Sequence, residues 1–407
     1  MSDAIDGRPQ DVGIDPGRLE RIDGWMRSLV AEGKLAGLSV SVARRGHTVF
    51  QRAHGLADLA RRTPFTTDTV TRIYSMTKPL TSVAVMQLYE EGQFQLDDPV
   101  ARFLPEFSEM RVATGGNRAK LETEPARRPI TIRDLLTHTG GLTYGFMEST
   151  LVDALYRQQG ADFLRPDASL AEVVATVARL PLLSQPGEAW NYSVSTDVLG
   201  HLVAVVSGRD FADYLRDAVL APLGMIDTDF FVRPENMGRF AANYVYDRTR
   251  TLTLYDDAVE THFAKPPAIA GGGGGLVSTA SDYLRFCRFI LNKGELDGAR
   301  LLGRKTVELM TMNHLPGDLA AIGTPRFAES SYHGIGFGLG FSVMLDPAKA
   351  QIVGTPGEVA WGGMASTAFW VDPAEELAVV LLTQLVPSSA LPIRKELRVL
   401  TYAALTD

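Results

Sequence analysis

Ser75 and Lys78 stand three residues apart in Ser75-Met76-Thr77-Lys78, the one S-x-x-K in the chain. On a helical turn that spacing puts both side chains on one face, near enough to share a hydrogen bond. Serine is a poor nucleophile until a neighbour takes its proton during attack. A lysine can do so when burial, a nearby cation or a helix N-terminus lowers its own proton affinity. The apolar run from Leu80 to Tyr89 predicts a buried helix that would fix both side chains. The motif is short enough to arise by chance, so its weight depends on partners elsewhere.

Such chemistry needs a second proton carrier and donors for an oxyanion. Tyr192, in Gly187-Glu188-Ala189-Trp190-Asn191-Tyr192-Ser193-Val194-Ser195, follows a Pro-Gly turn and precedes a helix expected over 197–207. It reads either as the proton carrier or as a packing aromatic. In Trp361-Gly362-Gly363-Met364, two glycines before a strand let the backbone approach a substrate. The N–H of Met364 could then join that of Ser75 in an oxyanion hole, although a β-bulge would use the same residues. Other catalytic classes lack their signatures. No G-x-S-x-G occurs, and the seven histidines show no H-E-x-x-H or other ligand spacing, so no metal and no cofactor are expected. His138 is read as structural.

The elements that must position these residues alternate along the chain. Asp15-Pro16 opens a helix to about Glu32, and residues 38–56 read as strand, turn and strand around Arg44-Arg45-Gly46-His47. The Ser75 helix ends near Glu91-Gly92. Asp97 to Pro129 reads as loops with short helices, and 131–210 as mainly helical. Gly271 to Gly275 would let the backbone pass close to another element or hinge; without a P-loop lysine and serine it is no phosphate cradle. A short strand at 276–279, a helix over 280–291, an antiparallel pair at 367–371 and 377–382, and a helix over 390–404 complete the chain. The pattern predicts an α/β (α+β) fold, an antiparallel sheet flanked by helices with a mainly helical second lobe. Residues 1–92 and 211–407 would build one lobe and 93–210 the other, with Ser75 between them.

Composition is that of a globular protein: 407 residues, 45% hydrophobic and 22% charged. A formal net charge of −8 offers no footprint for nucleic acid. Cys287 is the single cysteine, so no internal disulfide can form, and its amphipathic surroundings read as a buried thiol. Neither a signal-peptide core nor a membrane-length apolar window is found, and a cytoplasmic location is expected.

The order Ser-x-x-Lys, Tyr-Ser-x and a late glycine-bearing triplet resembles the serine β-lactamase and penicillin-binding-protein superfamily, over roughly residues 15 to 385. Within it the chain looks most like the class C β-lactamase-like carboxylesterases called family VIII. Leu96-Asp97-Asp98-Pro99-Val100, Ile130 to Leu142 and Pro186-Gly187 carry the resemblance further. It implies a β-lactamase/transpeptidase-like fold and an acylated Ser75, with Lys78 taking its proton or holding Tyr192 as phenolate. Tyr192 would serve the leaving alcohol and the deacylating water, and Ser75 and Met364 the oxyanion. Trp361, Gly362 and Gly363 would lie on the substrate side, and Tyr144 would line the acyl pocket or serve only as a loop anchor. Asp197 would orient the network there, or act only as a helix N-terminal charge. Two departures favour a neutral ester over a β-lactam: Val194 stands where an asparagine amide is usual, and Trp361 where a lysine is. The expected partner is a small ester, with no nucleic acid and no membrane. Expected activity is serine carboxylesterase action on short-chain acyl esters through an acyl-enzyme. Acyl transfer or amide hydrolysis on the same machinery, or a non-catalytic binding role, are the alternatives.

Overall fold

Strands Gly37–Arg44 and Leu377–Thr383 are buried along their whole length, as central strands covered on both faces must be. In the computed structural model, which describes residues 5–407 apart from 118–119, 162, 164–166, 324–325 and 328–329, they pair antiparallel at the middle of an eight-stranded sheet. The order runs Ile335–Phe337, Ser342–Met344, Val359–Gly362, Ala368–Asp372, Leu377–Thr383, Gly37–Arg44, His47–Asp58, Thr63–Pro64. Every adjacent pair is antiparallel. Arg45 and Gly46, at φ 49° and 82°, make the tight turn of the first hairpin.

Side-chain alternation divides the central strands between two cores. Leu38, Val40, Val42, Val379 and Leu381 meet helices Arg21–Ala31 and Ile393–Tyr402 on one face. Val380, Leu382, Phe369 and Val371 meet helix Ala280–Leu291 on the other, where Cys287 is buried and its thiol is pushed well up by burial. This second core continues without a break into helices Thr77–Glu90, Ile132–Leu136, Leu170–Ala178 and Ser195–Ser207. Helix Thr77–Glu90 is buried on nearly every side, which explains its apolar sequence.

One expectation is corrected between Asp97 and Pro129. Beside two short 3-10 turns, the segment forms a hairpin of Arg111–Asn117 with Lys120–Pro125. Gly115 and Gly116, the charged residues and a register shift mask the two-residue period there. Backbone pairing to Leu182, whose carbonyl accepts from Ala113 N–H at 2.9 Å, anchors it instead. The Ser75 helix also opens differently, as a 3-10 turn over Tyr74–Met76 before the α-helix. No described helix is long and apolar enough to cross a membrane.

Candidate active site

The chain reaches Ser75 under constraint. Thr71 and Arg72 pair with Ser278 and Val277, and Ile73 N–H donates to Leu276 O (3.1 Å). The fully buried Arg72 guanidinium donates to Asp256 (2.6 Å) and Ala241 O (2.6 Å) and lies 4.2 Å from the Phe240 ring centroid. Tyr74 then takes φ 43°, a left-handed conformation that costs a bulky residue of order 1–3 kcal/mol. Asn243 donates to its hydroxyl (3.0 Å), and burial pushes that phenol up to about 12. After it, Tyr283 donates to Met76 O (2.8 Å) and Leu276 N–H to Thr77 Oγ1 (3.1 Å). The strained turn presents Ser75 to a cleft of about 1390 Å³.

Tyr192 crosses from the other side and donates to Ser75 Oγ at 2.6 Å. Its ring is wedged between Trp361 (centroids 5.6 Å), Tyr144 (5.4 Å) and His138 (5.2 Å). His138 is wholly buried, so its imidazole is held well below its usual pKa, first by burial and then by the charge of Lys78. It bonds Ser193 Oγ through Nδ1 (3.0 Å) and packs behind Tyr192, the structural place expected for it. The segment that delivers it starts from a capping box, Thr131 with Asp134, which Arg128 also grips.

Lys78 is not where its spacing alone would put it. Its ammonium donates to the Gly273 carbonyl (2.7 Å) and to the Tyr144 hydroxyl (2.9 Å), and it sits 4.5 Å from the Tyr192 ring centroid. Ser75 is therefore bonded to Tyr192, and Lys78 to the Gly273 carbonyl and the Tyr144 hydroxyl behind that tyrosine. Asp197, only 3% exposed at the start of helix Ser195–Ser207, closes these groups into a ring. One of its oxygens accepts from Gly273 N–H (2.8 Å) and the other from the Tyr144 hydroxyl (3.3 Å). The five-glycine run is what permits it: a Cβ on Gly273 would lie 2.4 Å from Asp197 Oδ2 and 2.7 Å from the Tyr144 hydroxyl.

Trp361 and Gly362 end the strand Val359–Gly362, and the indole packs across Tyr192 and Phe337. Gly363 approaches so closely that its Cβ would meet Ile73 O at 2.4 Å, which brings Met364 beside the Ser75 turn. Ser75, Tyr144, Tyr192, Val194, Asp197 and the 361–364 segment all line the one cleft. Spacing gave no sign of three further parts: the Gly273 peptide as the acceptor for Lys78, the buried Tyr332 close to Tyr192, and Arg394. The glycine run was the available signal for the first. A single arginine in an amphipathic terminal helix carries none. Among the described residues no three His, Cys, Asp or Glu side chains cluster so as to hold a metal ion.

Comparison with known proteins identifies the family. Residues 22–403 match the family model described as Beta-lactamase. Protein Rv1367c of Mycobacterium tuberculosis is 36% identical over 372 residues, covering 89% of each chain. Esterase EstB of Burkholderia gladioli is 35% identical over 386 residues, again covering 89% of each. Among solved structures, EstCE1, described as a hydrolase with promiscuous acyltransferase activity, superposes with a TM-score of 0.80 at 27% identity, over 96% of this chain and 99% of that one.

Proposed function

The chain belongs to the β-lactamase family and is a serine hydrolase of the family VIII esterase kind, and from that premise we propose that it cleaves short-chain acyl esters through an acyl-enzyme on Ser75. The observation that carries this reading is the 2.6 Å contact between the Tyr192 and Ser75 hydroxyls, with the Lys78 ammonium 4.5 Å from the Tyr192 ring. Tyr192 is in hydrogen-bond reach of Ser75 Oγ, whereas the Lys78 amine bonds the Gly273 carbonyl and the Tyr144 hydroxyl, which supports Tyr192 as the group that exchanges the serine proton.

Ser75 Oγ attacks the ester carbonyl while its proton passes to the Tyr192 phenolate oxygen. The carbonyl oxygen becomes an oxyanion facing the N–H groups of Ser75 and Met364. Collapse breaks the bond to the alcohol oxygen, which takes the proton from Tyr192. Water then repeats the sequence: Tyr192 removes a proton, hydroxide adds to the acyl carbon, and Ser75 leaves with that proton. Trp361 and Val194 present no cation or amide to an anionic β-lactam, which supports a neutral ester as substrate.

The test is hydrolysis of p-nitrophenyl butyrate beside nitrocefin. Ser75→Ala should abolish ester turnover, and Tyr192→Phe should lower kcat by about 10²–10⁴, the range for general acid–base catalysis. Turnover that survives Ser75→Ala would overturn the mechanism, and nitrocefin turnover matching the ester's would overturn the assignment of substrate. The cleft volume favours a second outcome of the same acyl-enzyme. At about 1390 Å³ it exceeds the ~300–1,000 Å³ common for small-ligand pockets, so it has room for an acceptor alcohol in place of water. An acyl ester product formed when a bulky alcohol is added would establish acyl transfer.

A further inference from the structure

Residues 363–367 link strands Val359–Gly362 and Ala368–Asp372, and the turn is tied down at almost every position. Gly363 N–H donates to Thr367 O (2.9 Å), and Leu385 N–H donates to Ala365 O (3.1 Å). The buried Ser366, at φ 67°, donates its hydroxyl to Leu385 O (2.7 Å). Arg394, from the C-terminal helix, closes the turn with Nη2, which donates to Gly363 O (2.7 Å) and Thr367 O (2.9 Å). It fits because Gly362 has no side chain; a Cβ there would sit 2.7 Å from the guanidinium. The exception is Met364. Its N–H meets no backbone acceptor among the described residues, and the residue is 38% exposed at the cleft.

The carbonyl of Gly363 and the N–H of Met364 belong to one peptide group. That peptide is trans, so the two bonds point in opposite directions. We propose that Arg394 is a positioning residue for ester cleavage, fixing the Gly363–Met364 peptide by its carbonyl so that the Met364 N–H is aimed at the developing oxyanion. The cation also polarises the peptide, which makes that N–H a stronger donor. The inference rests on the Ser75 reading above and assigns a role to a residue that acts through the peptide it holds.

Arg394→Met removes the grip while keeping an apolar side chain, and Arg394→Lys keeps charge but loses the planar fork. We expect Arg394→Met to lower kcat about 10- to 100-fold, since a misaimed oxyanion donor costs less than the ~10²–10³ of a deleted one, with KM within threefold. Affinity for an alkyl boronic acid, which forms a tetrahedral adduct on Ser75, should fall by the same factor as kcat/KM. Affinity for the matching unreactive ether should stay unchanged. Arg394→Lys should lie between wild type and Arg394→Met, and ethylguanidinium should restore part of the activity of Arg394→Ala. A folded Arg394→Met enzyme with kcat/KM within threefold of wild type would overturn the proposal. So would equal losses of boronate and ether affinity, the sign of a collapsed pocket. If Arg394→Met does not fold, the same criteria apply to Arg394→Lys. Fluorophosphonate labelling of wild-type Ser75, run alongside, reports separately on the mechanism beneath.

Discussion

The Lys78 amine is buried, and among the described residues it donates to a carbonyl and a phenol oxygen. The buried Asp197 is linked to it through the Gly273 peptide and the Tyr144 hydroxyl. A buried ammonium needs such acceptors, because desolvation would otherwise favour the neutral amine. The Tyr192 hydroxyl meets Ser75 Oγ at 2.6 Å, which supports the proposal that it exchanges the serine proton. Asp197→Asn removes the negative charge that balances Lys78, and Tyr144→Phe removes the link. Each should lower kcat about 10- to 100-fold with KM nearly constant; one weakened acid–base partner is worth up to ~10²–10⁴. Steady-state kinetics on both variants would check this. Wild-type kcat in both would mean that the ring does not hold Lys78 for catalysis.

At the scale of elements, the site is an agreement among a 3-10 turn, a glycine loop, a helix start and a strand end. The glycine loop offers the sharpest contrast. Gly273 faces the ring around Lys78, whereas a Cβ on its neighbour Gly274 would meet only Tyr74 backbone at 3.7–3.9 Å, ordinary contact. Gly273→Ala should therefore cost roughly 1–3 kcal/mol of stability, as overpacking does, and lower kcat well over tenfold. Gly274→Ala should leave both nearly unchanged. Urea unfolding with parallel esterase assays separates the two, and equal behaviour of the variants would show that the loop yields to a methyl group. The strain at Tyr74 belongs to this scale as well. It persists because Arg72, Asn243, Tyr283 and the strand Val277–Ser278 hold the turn on both sides.

At the scale of the whole molecule, four of the seven histidines are held toward the neutral form. His138, His201, His262 and His314 all have their pKa lowered, in each case first by burial. Unfolding returns them to about 6.5, so below that pH the unfolded chain binds protons that the folded chain refuses. Stability is then complete above about pH 6.5 and falls as the pH drops, by about 1.4 kcal/mol per pH unit for each proton so linked. Urea unfolding free energies between pH 7 and 5 should fall with a slope near or above one proton, and His138→Gln should reduce that slope by about one. A flat profile would mean that these histidines protonate freely in the fold. The amino-acid sequence by itself determined what is local: Ser75 and Lys78 as near neighbours at the start of a buried helix, a helical segment beginning at 131, an antiparallel strand pair placed at 367–371 and 377–382 and observed at 368–372 and 377–383, and the tolerance of 271–275 and 362–363 for close approach. It also placed Tyr192 and Met364 among the candidates, because turn and glycine signals flank them. Only the tertiary structure decided that Ser75 bonds a tyrosine 117 residues away and not the lysine three away, that Lys78 turns to the Gly273 carbonyl, and that Arg394 grips the Met364 peptide. The hairpin 111–125 was decided the same way, by backbone pairing that leaves little trace in its side chains. Such contacts depend on where the packed sheet and helices bring backbone groups into register, and no periodicity along the chain encodes that distance.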